Sequence, residues 1–250
     1  MLKFQIALFL SIVFAAGSCG NCKEKSLIPD PSLENAIRST LGKTSGTLRE
    51  ADLLELTQLK ATDLNISDLT GLEYCVNLTA LDLSRDPIQD LTTFSGLTNL
   101  TSLQLWHCNV LDVSSLEGLT RLELLMLAGN NVSNIGPLSG LRSLRVLYLS
   151  DNKVSNIEGL EALTGLERCF LDGNEIVDIM PLGVLTNLST LWLDRNDIAD
   201  IKPLVDNPGI STGDSLTLFP NPLTDASIDQ YIPELRARGV KFDALTDLHW

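Results

Sequence analysis

Side chains able to do covalent or acid–base chemistry are few in this 250-residue chain, and their spacing argues against an active site. Of the two histidines, His107 and His249, neither has a nucleophile or metal-ligand partner at a recognisable interval. Cys19-x-x-Cys22 is a lone pair near the amino terminus, whereas Cys75, Cys108 and Cys169 lie far apart. A zinc site needs a second such pair, and a disulfide framework needs an even, regular set, so neither is implied. No glycine-rich phosphate loop, HExxH or GxSxG occurs. Asp82, Asp172 and Asp194 could converge, but each occupies a position that recurs along the chain. The expectation is a non-enzyme with no cofactor and no metal.

Binding chemistry is better represented. Met126, Tyr148, Phe170 and Trp192 follow one another at intervals of 22 residues. Trp106, His107 and Phe219 occupy neighbouring outward positions, and Arg168, Asp172, Asp194 and Arg195 lie beside them. An apolar stripe with a charged border is the composition of an interaction surface. The alternative is that aromatic neighbours on adjacent strands only stabilise a sheet, at ~0.2–1 kcal/mol per pair. Four bulky apolar residues in a row exceed what sheet stability needs. These eleven residues are therefore the partner-binding candidates.

The elements that position them follow from the same period. Leu78-x-x-Leu81-x-Leu83 recurs as Leu100-x-x-Leu103-x-Leu105, Leu122-x-x-Leu125-x-Leu127 and Leu144-x-x-Leu147-x-Leu149. Leu166-x-x-Cys169-x-Leu171 and Leu188-x-x-Leu191-x-Leu193 continue the series; Leu56-x-x-Leu59-x-Ala61 precedes it. A variant copy, Leu216-x-Leu218-x-x-Asn221, follows a three-residue slip. Alternating apolar positions make a short strand whose leucines point inward and whose intervening residues point outward. One such unit cannot bury its own apolar edge, so consecutive units must stack into a parallel sheet over one core.

Asn130, Asn152, Asn174, Asn196 and Asn221 close each strand at the same phase. A buried amide there must find partners, and a stack of them would form a ladder along the turns. Upstream, the position holds Leu64, Asp86 and Cys108, so the first three turns should be less regular.

Residues 78–223 resemble the 22-residue leucine-rich repeats of the internalin family and related bacterial surface proteins. Ile28–Arg38 and Arg49–Leu53 are similar to the helical cap that opens such arrays. The resemblance implies an α/β solenoid: a leucine-rich-repeat horseshoe with a parallel β-sheet on its concave face. A small helical amino-terminal cap and a helix-plus-strand carboxy-terminal cap would close it. It also implies binding of other molecules, usually proteins, through the sheet face. The division expected is 1–18 signal peptide, 19–26 tether, 27–55 cap, 56–223 repeats (seven turns plus one variant) and 224–250 cap. Two short helical pieces split at Pro233 and a strand at 240–242 are expected in that last part.

The leader supports export. Lys3 precedes an apolar run from Phe4 to Ala16, too short for a permanent span of about 20 residues. Its ending, Ala16-Gly17-Ser18-Cys19, resembles a bacterial lipobox, with Cys19 the lipidated residue, although Ala16 stands where Leu is commoner. Ordinary cleavage after Gly17 or Ser18 is the alternative. The expected location is the bacterial cell envelope, anchored by lipid at Cys19, or secreted or periplasmic without it. A net charge of −14 repels phosphate backbones and anionic headgroups, so nucleic acid is excluded and membrane contact is limited to the anchor. The expected partner is a protein; a glycan-binding or structural envelope role is the alternative. An intracellular adaptor is disfavoured by the leader.

Overall fold

The computed structural model describes residues 26–243. Cys19, Cys22, His249, the leader and most of the tether lie outside them. Parallel strands β1 (Gln58–Lys60), β2 (Ala80–Asp82), β3 (Ser102–Gln104), β4 (Leu124–Met126) and β5 (Val146–Tyr148) are followed by β6 (Arg168–Phe170), β7 (Thr190–Trp192), β8 (Ser215–Thr217) and β9 (Lys241–Phe242). They form one sheet in chain order. The architecture is the α/β solenoid horseshoe. Strands are short because each repeat supplies only a few alternating positions before its turn.

Register is set by the leucines. Leu59, Leu81, Leu103, Leu125, Leu147, Cys169, Leu191 and Leu216 stand opposite one another from strand to strand. All are buried, together with return-path residues such as Ile135, Leu138 and Leu141. A slip of one residue would turn every leucine outward, so this register has no close competitor. The return path is mostly short 3-10 turns, with one α-helix, α3 (Lys202–Asp206), after β7. The three extra residues before β8 are absorbed by Asn207, fully buried, whose amide donates to Leu182 and Leu185 carbonyls at 2.9 and 3.1 Å. Gly209 follows because a Cβ there would lie 2.1 Å from the Thr186 carbonyl oxygen.

At the amino-terminal end, α1 (Pro31–Leu41) buries Leu33 and Ile37. Asp30 caps it, accepting from the Ser32 and Leu33 amides at 2.9 and 3.1 Å, and Gly42 ends it at φ 66°. The other Asp30 oxygen accepts from the Ser67 amide at 3.2 Å, tying the cap to the first turn. A short helix, α2 (Glu50–Leu53), leads into β1. At the far end the expected break at Pro233 is corrected. A π-helical turn, Ser227–Tyr231, runs directly into α4 (Ile232–Ala237). Pro233 stands in the first turn of α4, where a missing N–H is tolerated. Among the described residues no helix is long and apolar enough to cross a membrane.

Candidate functional site

The turn after each strand carries the first set of singled-out residues. Asn130 Oδ1 accepts from the Cys108 and Val110 amides at 3.0 and 2.9 Å, while its Nδ2 donates to the Leu105 and Leu127 carbonyls at 2.7 and 2.8 Å. Asn152, Asn174 and Asn196 repeat this one turn on, accepting from Val132, Val154 and Ile176 amides at 3.0 Å. Asn221 closes the series on the Ile198 amide at 3.1 Å. Each amide joins the backbone of two turns at once, so the ladder ties the turns together beyond the strands, where the leucine register does not reach.

Upstream the ladder changes in two ways. Leu64 does not enter it and is 43% exposed. Around Leu64 and Cys108 the residues on both sides, Asp63 and Asn65, His107 and Asn109, take positive φ between 57° and 64°. Asp86, in contrast, keeps the acceptor half: Oδ1 accepts from Leu64 and Ile66 amides at 2.9 Å. Its Oδ2 is buried without a partner, at the position where asparagine places its donor. Burial raises the Asp86 carboxyl above its ordinary value, against the lowering effect of those amides. The Cys108 thiol donates to the Leu83 carbonyl at 3.2 Å, and burial pushes it up to about 11. Cys75 and Cys169 are likewise buried and pushed up to about 12, which leaves all three thiols protonated.

The outward columns of the sheet hold the second set. Met126 stands opposite Tyr148, Tyr148 opposite Phe170 and Phe170 opposite Trp192. Tyr148 and Phe170 are stacked, with centroids 4.1 Å apart and planes 7° from parallel. Trp192 meets Phe170 edge-on at 4.8 Å and is 41% exposed. Phe170 as a partner contact is corrected: it lies in the outward column but is only 2% exposed. Tyr148 on one side, Trp192 on the other and the Arg168 guanidinium 5.5 Å away cover it. Its role is to hold the half-buried Tyr148 and the exposed Trp192 in place.

The remaining candidates divide between the two rims. At the start of β6, Arg168 is exposed and reaches the Tyr148 hydroxyl at 3.5 Å. Beyond the strands, Arg195 bridges Asp151 and Asp172 at 2.9 and 3.1 Å. Asp172 also accepts from Ser150 Oγ, and Asp194 accepts from Thr217 Oγ1. Asp194 Oδ1 is buried without a partner, and burial, with Asp243 and Asp172 nearby, raises its carboxyl. Trp106 lies under the Arg85 guanidinium at 4.3 Å with exposed His107 beside it at 5.4 Å. Phe219 is half-buried at the carboxy-terminal end of the same face. Asp82 does not join Asp172 and Asp194, being occupied by the Ser84 hydroxyl at 2.7 Å. Among the described residues no three His, Cys, Asp or Glu side chains are grouped to hold a metal.

Two features were not singled out from the sequence. A depression of about 380 Å³ lies between β4 and β6, lined by Glu123, Leu124, Met126, Arg145, Val146, Tyr148 and Arg168. On the return path, Val177, Met180 and Val184 are 60%, 70% and 55% exposed beside α3. The depression was legible only in part, since the rim residues Glu123 and Arg145 lie outside the alternating columns.

Residues 120–162 match the family model for leucine-rich repeats in two copies. Among solved structures, internalin C2 from Listeria monocytogenes is 32% identical over 87% of this chain and 95% of its own, with a TM-score of 0.76. The chain belongs to the internalin-like leucine-rich-repeat proteins. A second internalin from that bacterium, inlF, is 27% identical, with a TM-score of 0.75 over 88% of this chain. The internalin-like chain spans 65% of inlF, a little under two thirds of its length. No curated protein matches it. Its fold is that of a protein-interaction module.

Proposed function

We propose that this internalin-like protein is a non-enzymatic receptor module that captures a partner protein on its concave face, centred on Met126, Tyr148 and Trp192. The observation that carries this is the exposed, edge-packed Trp192 in line with a stacked ring pair, beside an apolar depression on the outward face of the sheet. Ring pairs held this rigidly present contact area at little entropic cost, and interface energy concentrates in such anchors. Met126→Ser and Trp192→Ser should each weaken capture of a purified partner ~30-fold, from about 2 kcal/mol per anchor, and the double change should weaken it further. Matched changes at Glu158 and Glu161, away from the sheet face, should leave capture unchanged. Unaltered capture by a folded double variant, checked by circular dichroism and thermal melting, defeats the proposal.

Export and anchoring belong to the same proposal, supported by the apolar leader and Ala16-Gly17-Ser18-Cys19. With lipid on Cys19 the protein partitions into detergent, and Cys19→Ser releases it to the soluble fraction. A wild-type protein found soluble with an unmodified amino terminus would show that there is no anchor.

The exposed Val177, Met180 and Val184 favour a second reading, in which repeats stack on a neighbour in the envelope. Met180→Lys would then abolish a self-association visible by sedimentation, while a monomer at all concentrations excludes it.

A further inference from the structure

The charge around the depression is unevenly satisfied, and this gives the partner a chemistry. Glu123, Arg145 and Glu167 succeed one another at 22-residue intervals along the rim before the strands. Arg145 Nη1 pairs with Glu167 Oε1 at 2.5 Å, so the cation of that row is already engaged. Arg168, one residue inward, is different. Among the described residues no carboxylate lies within ion-pair distance of it; its contacts are the Tyr148 hydroxyl and the Phe170 ring. An exposed guanidinium without a counter-ion is available to a carboxylate supplied from outside the chain. It also lies against two aromatic side chains, Tyr148 and Phe170, beside a hollow lined in part by Leu124, Met126 and Val146.

Resting on the concave-face reading above, we infer that the depression between β4 and β6 accepts an apolar side chain of a partner protein whose adjacent Asp or Glu pairs with Arg168. The planar guanidinium fork matches a carboxylate through two parallel hydrogen bonds, a geometry a lysine could not supply. The hollow is lined by aliphatic and thioether groups that adapt to an inserted Leu, Ile, Met or Phe. On the opposite rim Arg195 bridges Asp151 and Asp172, and Asp194 lies near Asp172 with no cation bridging it among the described residues, so the bound segment is oriented with its acidic residue toward Arg168. A glycan is the poorer fit. Sugars stack on open aromatic faces, and here the Tyr148 and Phe170 faces are turned on each other.

The test is selection of a random displayed peptide library on the immobilised full chain. Wild type should enrich peptides with Asp or Glu next to a large apolar residue. A synthetic peptide so selected should bind Arg168→Gln about tenfold more weakly, the loss expected for a charge-assisted pair. Lys153→Gln, an exposed control that loses the same charge, should bind it as wild type does. Selection on Arg168→Glu should replace the acidic residue by Lys or Arg. If affinity is indifferent to Arg168→Gln but falls with Met126→Ser, the acidic rule is overturned while the concave-face reading stands. If binding is indifferent to Arg168→Gln, Met126→Ser and Trp192→Ser alike, both fall. Retention on an array of acidic glycans with no peptide enriched assigns the face to a carbohydrate and overturns the inference, and retention of neither class overturns it as well.

Discussion

The first three turns and the four that follow share one register and differ in nearly everything built on it. From β1 to β7 the pairing advances by the same 22 residues, whether the closing position holds Leu64, Asp86, Cys108 or an asparagine. The leucine core therefore sets strand alignment, and the asparagine ladder governs only the shape and linkage of the turn. Where asparagine is present, the residue after it has its amide bonded to the preceding turn, as in Asn131 to Val110 and Lys153 to Val132. Where it is absent, at Leu64 and Cys108, the next residue is an asparagine in the left-handed region instead. The faces diverge in parallel. Lys60, Asp82 and Gln104 put polar side chains around a hollow of about 450 Å³ at one end, whereas Leu124, Met126, Val146 and Tyr148 line the depression between β4 and β6.

The sharpest way to break this comparison is to remove rungs. Asn152→Ala or Asn174→Ala should each lower stability by about 1–3 kcal/mol, because two backbone carbonyls and a buried amide lose their partner together. Leu64→Ala, at the same phase, should cost less than ~0.5 kcal/mol, since Leu64 is largely outside the core. Urea midpoints decide the matter. Equal losses at positions 64 and 152 would show that the ladder contributes no more than an exposed leucine.

Much of this was legible in the sequence, for a physical reason. Alternation with a fixed period specifies direction, so the leucines, the outward columns and the asparagine phase follow once the repeat is seen. Cover is another matter, because it depends on neighbours in other turns. Phe170 points outward as the alternation requires, yet Tyr148 and Trp192 close over it. Arg195 sits among carboxylates, and no periodicity shows that it bridges Asp151 and Asp172, 44 and 23 residues away. Asp86 differs from the asparagines by one atom type, and reading it as a departure missed that a carboxylate oxygen accepts the same two amides.

That one atom gives the smallest and most specific prediction. In the asparagines the second side-chain atom is an N–H donor facing two carbonyls; in Asp86 it is Oδ2, buried without a donor. An ionised carboxylate there leaves acceptor facing acceptor, whereas a protonated one supplies the missing donor. The folded-state value is accordingly raised above the ordinary 3.8. For a carboxyl raised on folding, its stabilising contribution is fully present below the unfolded value and is lost as pH rises through the folded one. Asp86→Asn carries its donor at every pH. The variant should match wild type in denaturant midpoint below about pH 3.8 and exceed it increasingly above, reaching about 1 kcal/mol at neutral pH. Asp90, whose carboxyl is lowered by the Thr92 amide, is the control: its stabilisation is present above 3.8 and lost below. Asp90→Asn should therefore shift the pH dependence in the opposite sense. A difference between Asp86→Asn and wild type that stays constant from acid to neutral would mean that Asp86 does not take up a proton on folding. The first turns would then tolerate an uncompensated carboxylate where the later turns require an amide.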